Sequence, residues 1–385
     1  MNASPALPTR PSPVAPLKSP RGGALEGLPV PAKWRAAQIF VLALIGALAL
    51  YYNYYFVDWA TPTKTFLLAL RQRDLEIFLS ALNKTPFVDQ IGFLILAGLT
   101  WQATPTAGTI AVSSFKEALR RRWVVGFLLF SMLVIGFSGS LSFVQLGEEL
   151  RFLQDFGTGF IITMTTLIAI FLGVSLVPPE IERRTILTIL SKPVNRLEFL
   201  VGKFLGLCLT LLFCVALLGA FFLLTYTAFS LKNGGAAVWQ SVPGGAQGLG
   251  FQLSQMCKAL VLNYGQLCVL AALSMALSLI VTPITAITFC FLAYFGGQMS
   301  SYWGHLGGDE HAAEGESKGL GRAMQGVVKI VYYALPRMDH FDVRQKLVTD
   351  EPVSFAFVWK AWSSGLLYIA VLLVIGYLVF SDREF

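Results

Sequence analysis

Long apolar runs alternate with short polar ones along this chain. Charge-free apolar stretches of about 20 residues are candidates for membrane spans. Eight are read here, at about 36–56, 87–103, 123–143, 158–177, 204–229, 255–281, 284–303 and 361–380. The second is the shortest and is flanked by Asp89 and Gln102. The predicted fold is an all-α polytopic membrane protein. It divides near Thr104-Pro105-Thr106-Ala107-Gly108, a break rich in turn residues. Residues 1–35 form a tail, 36–105 a two-span extension, and 106–385 a six-span core with a long loop at 304–360.

Two helices are predicted outside the spans. In the first, at 110–122, Phe115, Ala118 and Leu119 recur at helical spacing toward Arg122 and Trp123. Lys116, Glu117, Arg120 and Arg121 are expected to face away. Such a basic amphipathic helix would lie in the headgroup layer before the chain turns into the bilayer. It also serves as the positive cap of the span that follows. The second, at 322–335, is apolar but too short to span and is stopped by Pro336, so an interfacial or re-entrant helix is expected. Small residues at Gly202-x-x-x-Gly206, Gly136-x-x-x-Ser140 and Gly296-Gly297 mark places where helices can approach closely. They name no partner by themselves.

Composition agrees with the membrane class. Hydrophobic residues are 55% of the chain and charged residues 13%, with mean hydropathy +0.65; soluble domains carry about 25% charged residues. The tail holds eight prolines, which suits a disordered segment and not a signal peptide. Orientation follows from the basic residues of the short loops. With the amino terminus in the cytoplasm, the inside pieces hold fifteen Lys and Arg and the short outside loops six. Both termini are therefore expected to be cytoplasmic. The net charge of +7 reflects this bias, and no nucleic-acid partner is implied.

Candidate chemistry within the chain is sparse. The ionisable residues of the spans are Asp89 and Lys258, both near outer ends, where Lys258 could snorkel to headgroups. Near mid-depth the polar groups are neutral, such as Asn263, Gln266 and Gln298. The proton or ion relay of a coupled transporter is therefore not expected. The three histidines sit in the 304–360 loop, and His305-x-x-x-Asp309-Glu310-His311 lacks the spacing of a helical metal site. Five cysteines, Cys208, Cys214, Cys257, Cys268 and Cys290, fall inside predicted spans, so small packing side chains are expected, without a disulfide framework. There is no Ser, His and Asp constellation and no Gly-x-x-x-x-Gly-Lys-Ser/Thr phosphate loop. This chain is not expected to be an enzyme or to bind ATP itself.

One polar stretch remains, residues 180–203, of which eight in 24 are charged. Ile181, Ile186, Leu187, Ile189 and Leu190 would form the apolar side of a short helix, with Arg183, Arg184 and Thr188 opposite. Ser191-Lys192-Pro193 ends it, because proline lacks an amide donor and disfavours helix in the residue before it. Asn195-x-x-Glu198 then has capping-box spacing and restarts a helix that continues as the next span. A push on the surface helix would tilt that span.

In these residues the chain resembles the permease subunits of ABC-2 type transporters. The family's loop runs Glu, Gly-Thr, Leu-Ser-x-Pro, Arg and then Gly-Lys opening the next span. Matching positions are Glu182, Thr185, Leu190-Ser191-Lys192-Pro193, Arg196, Glu198 and Gly202-Lys203, with Arg183 alongside; Arg184 stands where a glycine is common. The interfacial helix (Phe115, Leu119, Arg120, Arg121, Arg122) and the Arg383-Glu384-Phe385 ending are also similar, so that the likeness covers about 110–385. It implies a six-helix permease core preceded by two extra transmembrane helices, with two permease subunits, identical or different, per transporter. It also implies separate ABC ATPase chains that carry ATP and Mg and dock on the 180–203 loop. This chain would then hold no cofactor. Export across the bacterial cytoplasmic membrane by alternating access would follow. The alternative is a non-transporting scaffold or regulator with the same fold.

Overall fold

The structure is a computed structural model, and it describes residues 32–57, 87–102, 105–141, 149–176, 196–232, 249–298, 338–348 and 351–382. These form ten helices: α1 (Ala32–Phe56), α2 (Phe87–Gln102), α3 (Pro105–Arg120), α4 (Arg122–Leu141), α5 (Glu149–Leu176), α6 (Arg196–Lys232), α7 (Leu249–Ile280), α8 (Pro283–Gln298), α9 (Arg344–Val348) and α10 (Phe355–Asp382). A 3₁₀ turn lies at Asp339–Phe341, and there is no strand among the described residues. Residues 1–31 of the tail, the predicted helix at 322–335 and residues 180–195 lie outside the described residues, while residues 32–35, expected in the tail, are the first turn of α1.

Five helices, α1, α5, α6, α7 and α10, are long and apolar enough to cross a membrane. A sixth span results if α3 and α4, bent by 66° at Arg121, are taken together. The remaining two expected spans are shorter than a full crossing as described. α2 and α8 have 16 residues each, which at 1.5 Å per residue reaches about 24 Å against the roughly 30 Å of a hydrocarbon core. Pro105 opens α3 just after α2, and α8 is described only to Gln298, short of the predicted 303. Elsewhere the helices outrun the apolar runs. α5 begins at Glu149, not 158, and α6 runs from Arg196 to Lys232, because polar first turns remain helical beyond the apolar window.

α7 is the central helix, 72% buried across its most apolar window, and packs on α5, α6, α8 and α10. Small residues permit these contacts, as where Gly265 and Gly365 both admit the Phe341 ring. α1 is almost entirely peripheral. It reaches the core through α2, which packs along α10.

The α2–α10 seam is built around Gly92. A Cβ there would stand 2.6 Å from Ser363 Cβ and 2.8 Å from its Cα. One turn earlier Asp89, only 6% exposed, accepts hydrogen bonds from Tyr52 Oη and Ser363 Oγ, each at 2.9 Å. Asn53 and Gln90 exchange side-chain amide bonds at 3.1 and 2.9 Å. The Phe93 and Trp359 rings stack with centroids 3.9 Å apart. Replacing Gly92 with leucine is expected to open this seam at a cost of about 2 kcal/mol or more. Limited proteolysis should then cut residues 57–86 faster, and an unchanged digestion pattern would refute the seam.

Residues 338–348 and 351–353 pack at the end of the bundle formed by the starts of α5 and α7 and the end of α8. Gln154 Nε2 donates to Leu347 O at 3.4 Å, Val353 N to Gln255 Oε1 at 3.0 Å, and Met338 N to Gly297 O at 3.2 Å. The Lys258 ammonium donates to Val353 O at 2.7 Å and lies 4.6 Å above the Phe355 ring. The folded-back segment supplies this carbonyl and aromatic face, which an apolar pattern cannot reveal.

Asp342 caps α9. It accepts from the Arg344 amide at 3.0 Å and from its guanidinium at 2.7–3.1 Å. Burial pushes the Asp342 carboxyl up, but the bonds from Arg344 outweigh it and hold the acid below its ordinary value of 3.8. A depressed acid adds stability above its unfolded pKa and loses it as pH falls through the folded one. Asp342→Asn should therefore cost about 1 kcal/mol at any pH above about 5. The difference from wild type should close below pH 3.8. A gap in thermal unfolding that persists unchanged in acid would contradict this.

Candidate functional site

Of the expected coupling-loop residues, Glu182, Arg183, Thr185, Ser191, Lys192 and Pro193 lie outside the described residues. Arg196, Glu198, Gly202 and Lys203 form the first described turns of α6, while the proposed cap Asn195 lies outside the described residues. The structure shows what this helix base rests on. It is α3, laid along α6.

Four small residues, Ala107, Ala111, Ser114 and Ala118, make the buried face of α3. They meet the two glycines of α6. A Cβ on Gly202 would lie 3.0 Å from Ala107 O and from Ile110, and one on Gly206 would lie 2.6 Å from Ser114 Cβ and 2.7 Å from Ala111 O. The Gly202-x-x-x-Gly206 pair thus has a partner within the chain. Backbones this close gain dispersion contacts that any side chain would forbid.

Polar bonds also secure this seam. Thr106 Oγ1 donates to Glu198 Oε2 at 2.9 Å. Lys203, 5% exposed, stands 3.9 Å from Glu117 Oε2 and 5.9 Å from the centre of the Phe199 ring. Glu117 also pairs with Arg121 at 3.1 Å. Arg121, at the corner between α3 and α4, donates to Ser175 Oγ at 2.8 Å and to Ser175 O at 3.1 Å. That carbonyl belongs to the last turn of α5, the negative end of its helix dipole, where a cation is favoured. α3 is therefore fastened both to the end of α5 and to the start of α6. Those are the two helix ends that border residues 177–195.

The sequence pattern misplaced part of this face. Arg121 and Glu117 are expected to point away; instead Arg121 turns in to Ser175, its side chain 23% exposed. Phe115 is half-buried, edge-on to Phe213 at 6.1 Å, and Leu119 is also half-buried, while Arg120 and Arg122 are exposed. Large apolar residues dominate a hydropathy reading, whereas the contact face is the smooth one. Thr106, Glu117 and Ser175 join the site without being singled out for it. The four-residue spacing of Glu117 and Arg121, and of Ala107 and Ala111, is the signal that could have found them.

Comparison with known proteins decides the family. Residues 30–385 match the family described as ABC-2 family transporter protein. The chain belongs to that family. The match takes in α1 and α2, which lie before the stretch carrying the motif resemblance. A 110-residue stretch is 31% identical to the "Probable ABC transporter permease protein NosY" of Pseudomonas aeruginosa. The alignment covers 26% of this chain and 38% of that protein, so the chain spans well under half the length of this curated relative. This ABC-2 family member is accordingly a multi-pass membrane protein of helices. Four of its cysteines are buried and Cys257 is exposed, all of them as free thiols.

Proposed function

We propose that this chain is the permease subunit of an ATP-driven exporter, paired with a second permease subunit and powered by separate ABC ATPase chains docking on the 180–203 loop. The observation that carries the proposal is the double attachment of α3. Because Arg121 holds the end of α5 and the Gly202–Gly206 face holds the start of α6, the loop between them cannot move one span alone. Force on the loop would rock α5 and α6 as a unit, which is what alternating access requires. The seam's work would then be mechanical, and ATP with Mg would bind on the partner. In this reading both termini and the loop are cytoplasmic, in the bacterial inner membrane. Residues 1–105 are an addition to a six-span core.

The test is co-purification. Detergent-solubilised chain should bring down the ATPase encoded beside its gene in near-equal amount. Its failure to bind that ATPase in both detergent and nanodiscs would overturn the proposal.

A further inference from the structure

The two-helix extension borders an open cleft against the core. It lies between α1, α2, α7 and α10, has a volume of about 580 Å³, and is lined by eleven residues of which six are aromatic: Tyr51, Tyr52, Phe93, Phe355, Trp359 and Trp362. Small-molecule sites run from about 300 to 1,000 Å³. The remaining lining is aliphatic.

Behind this aromatic wall sits Asp89. Its carboxylate is 6% exposed and is held by two neutral hydroxyls, Tyr52 Oη and Ser363 Oγ, each donating at 2.9 Å. Among the described residues no Lys, Arg or His forms an ion pair with it. Lys258, the ammonium beside the cleft, is engaged by Val353 O and the Phe355 ring. Burying a carboxylate without a cation beside it is costly, because buried charges need a partner. The position of Lys258 also shows that a ring of this wall accepts a cation on its face.

We propose that the cleft binds a lipophilic organic monocation, whose apolar body fills the aromatic lining and whose charge is balanced by Asp89. Tyr52 links the two parts, since its ring lines the cleft and its hydroxyl bonds to Asp89. Ring faces attract a cation through their quadrupole, most strongly where water is excluded. In the low dielectric of the interior the carboxylate acts through the width of one ring. A neutral or anionic molecule of the same shape gains neither effect. The site gives α1 and α2 a role separate from the α3 seam, and it does not depend on any ATPase.

The probe is tetraphenylphosphonium, with tetraphenylborate as the same shape of opposite charge, against the full chain in nanodiscs of zwitterionic lipid. Equilibrium dialysis should show saturable phosphonium binding above that of empty nanodiscs, at least tenfold tighter than borate binding. Asp89→Asn should weaken it at least tenfold, while Asp89→Glu should keep most of it. Trp359→Leu should weaken it without affecting the borate. Binding no greater than lipid partitioning, or borate bound as tightly as phosphonium, would overturn the site without recourse to any variant. Full binding by a folded Asp89→Asn protein would overturn the role of the carboxylate.

Discussion

Replacing Gly206 with leucine is expected to cost about 3 kcal/mol or more and to lift α3 off α6. The magnitude follows from the identity of the neighbours. The first added carbon would sit 2.7 Å from a backbone carbonyl, Ala111 O, and 2.6 Å from Ser114 Cβ. Neither is the far end of a flexible side chain, so the helices themselves must separate, which exceeds the usual cost of an overpacked site. Once apart, α3 also loses the Thr106–Glu198 hydrogen bond and the Lys203–Glu117 pair. Gly206→Ala should show a smaller version of the same loss. Thermal unfolding in detergent, with a cysteine-accessibility scan of α3 in a Cys-free background, measures both parts. A leucine variant with wild-type stability and an inaccessible Ala111 position would refute the seam.

The second large effect is expected at Arg121. Its two bonds to Ser175 are charge-assisted, and hydrogen bonds to charged groups contribute about 1.5–3 kcal/mol each where buried. With its side chain 23% exposed, about 2 kcal/mol in total is the appropriate scale. Stability is the lesser consequence. Arg121→Ala leaves α3 attached to α6 but frees the end of α5. In the proposed exporter, ATP hydrolysis should continue while transport falls about tenfold. Arg121→Lys keeps the charge at the α5 carbonyl end and one hydrogen bond, and should recover part of the transport. Parallel loss of hydrolysis and transport would assign Arg121 to ATPase docking. Unchanged transport would remove α3 from the coupling path.

The sequence exposed the parts of this molecule that depend on hydropathy and hid those that depend on shape. Charge-free runs located α5, α6, α7 and α10, because lipid admits few charges at depth. Glu198 of the expected capping box lies in the first described turn of α6, while Asn195 lies outside the described residues. The same logic could not pair Gly202 and Gly206 with Ala107, Ala111 and Ser114, since small residues weigh little on any hydropathy scale. Nor could it place Asp89. A carboxylate near the end of an apolar run reads as a boundary, and only the fold brings Tyr52 and Ser363, 37 and 274 residues away, to its two oxygens. The partners of Lys258 stayed hidden for the same reason, Val353 and Phe355 lying about a hundred residues downstream.

The central claim is that energy enters through the loop between α5 and α6. A photoreactive amino acid placed at Lys192 tests it directly, in membranes containing this chain and the ATPase encoded beside its gene, with a second probe in the 304–360 loop as the control. The account predicts a covalent adduct with the ATPase from position 192 and none from the control position. An adduct from the control alone, or from neither position in an ATPase-active preparation, would contradict it.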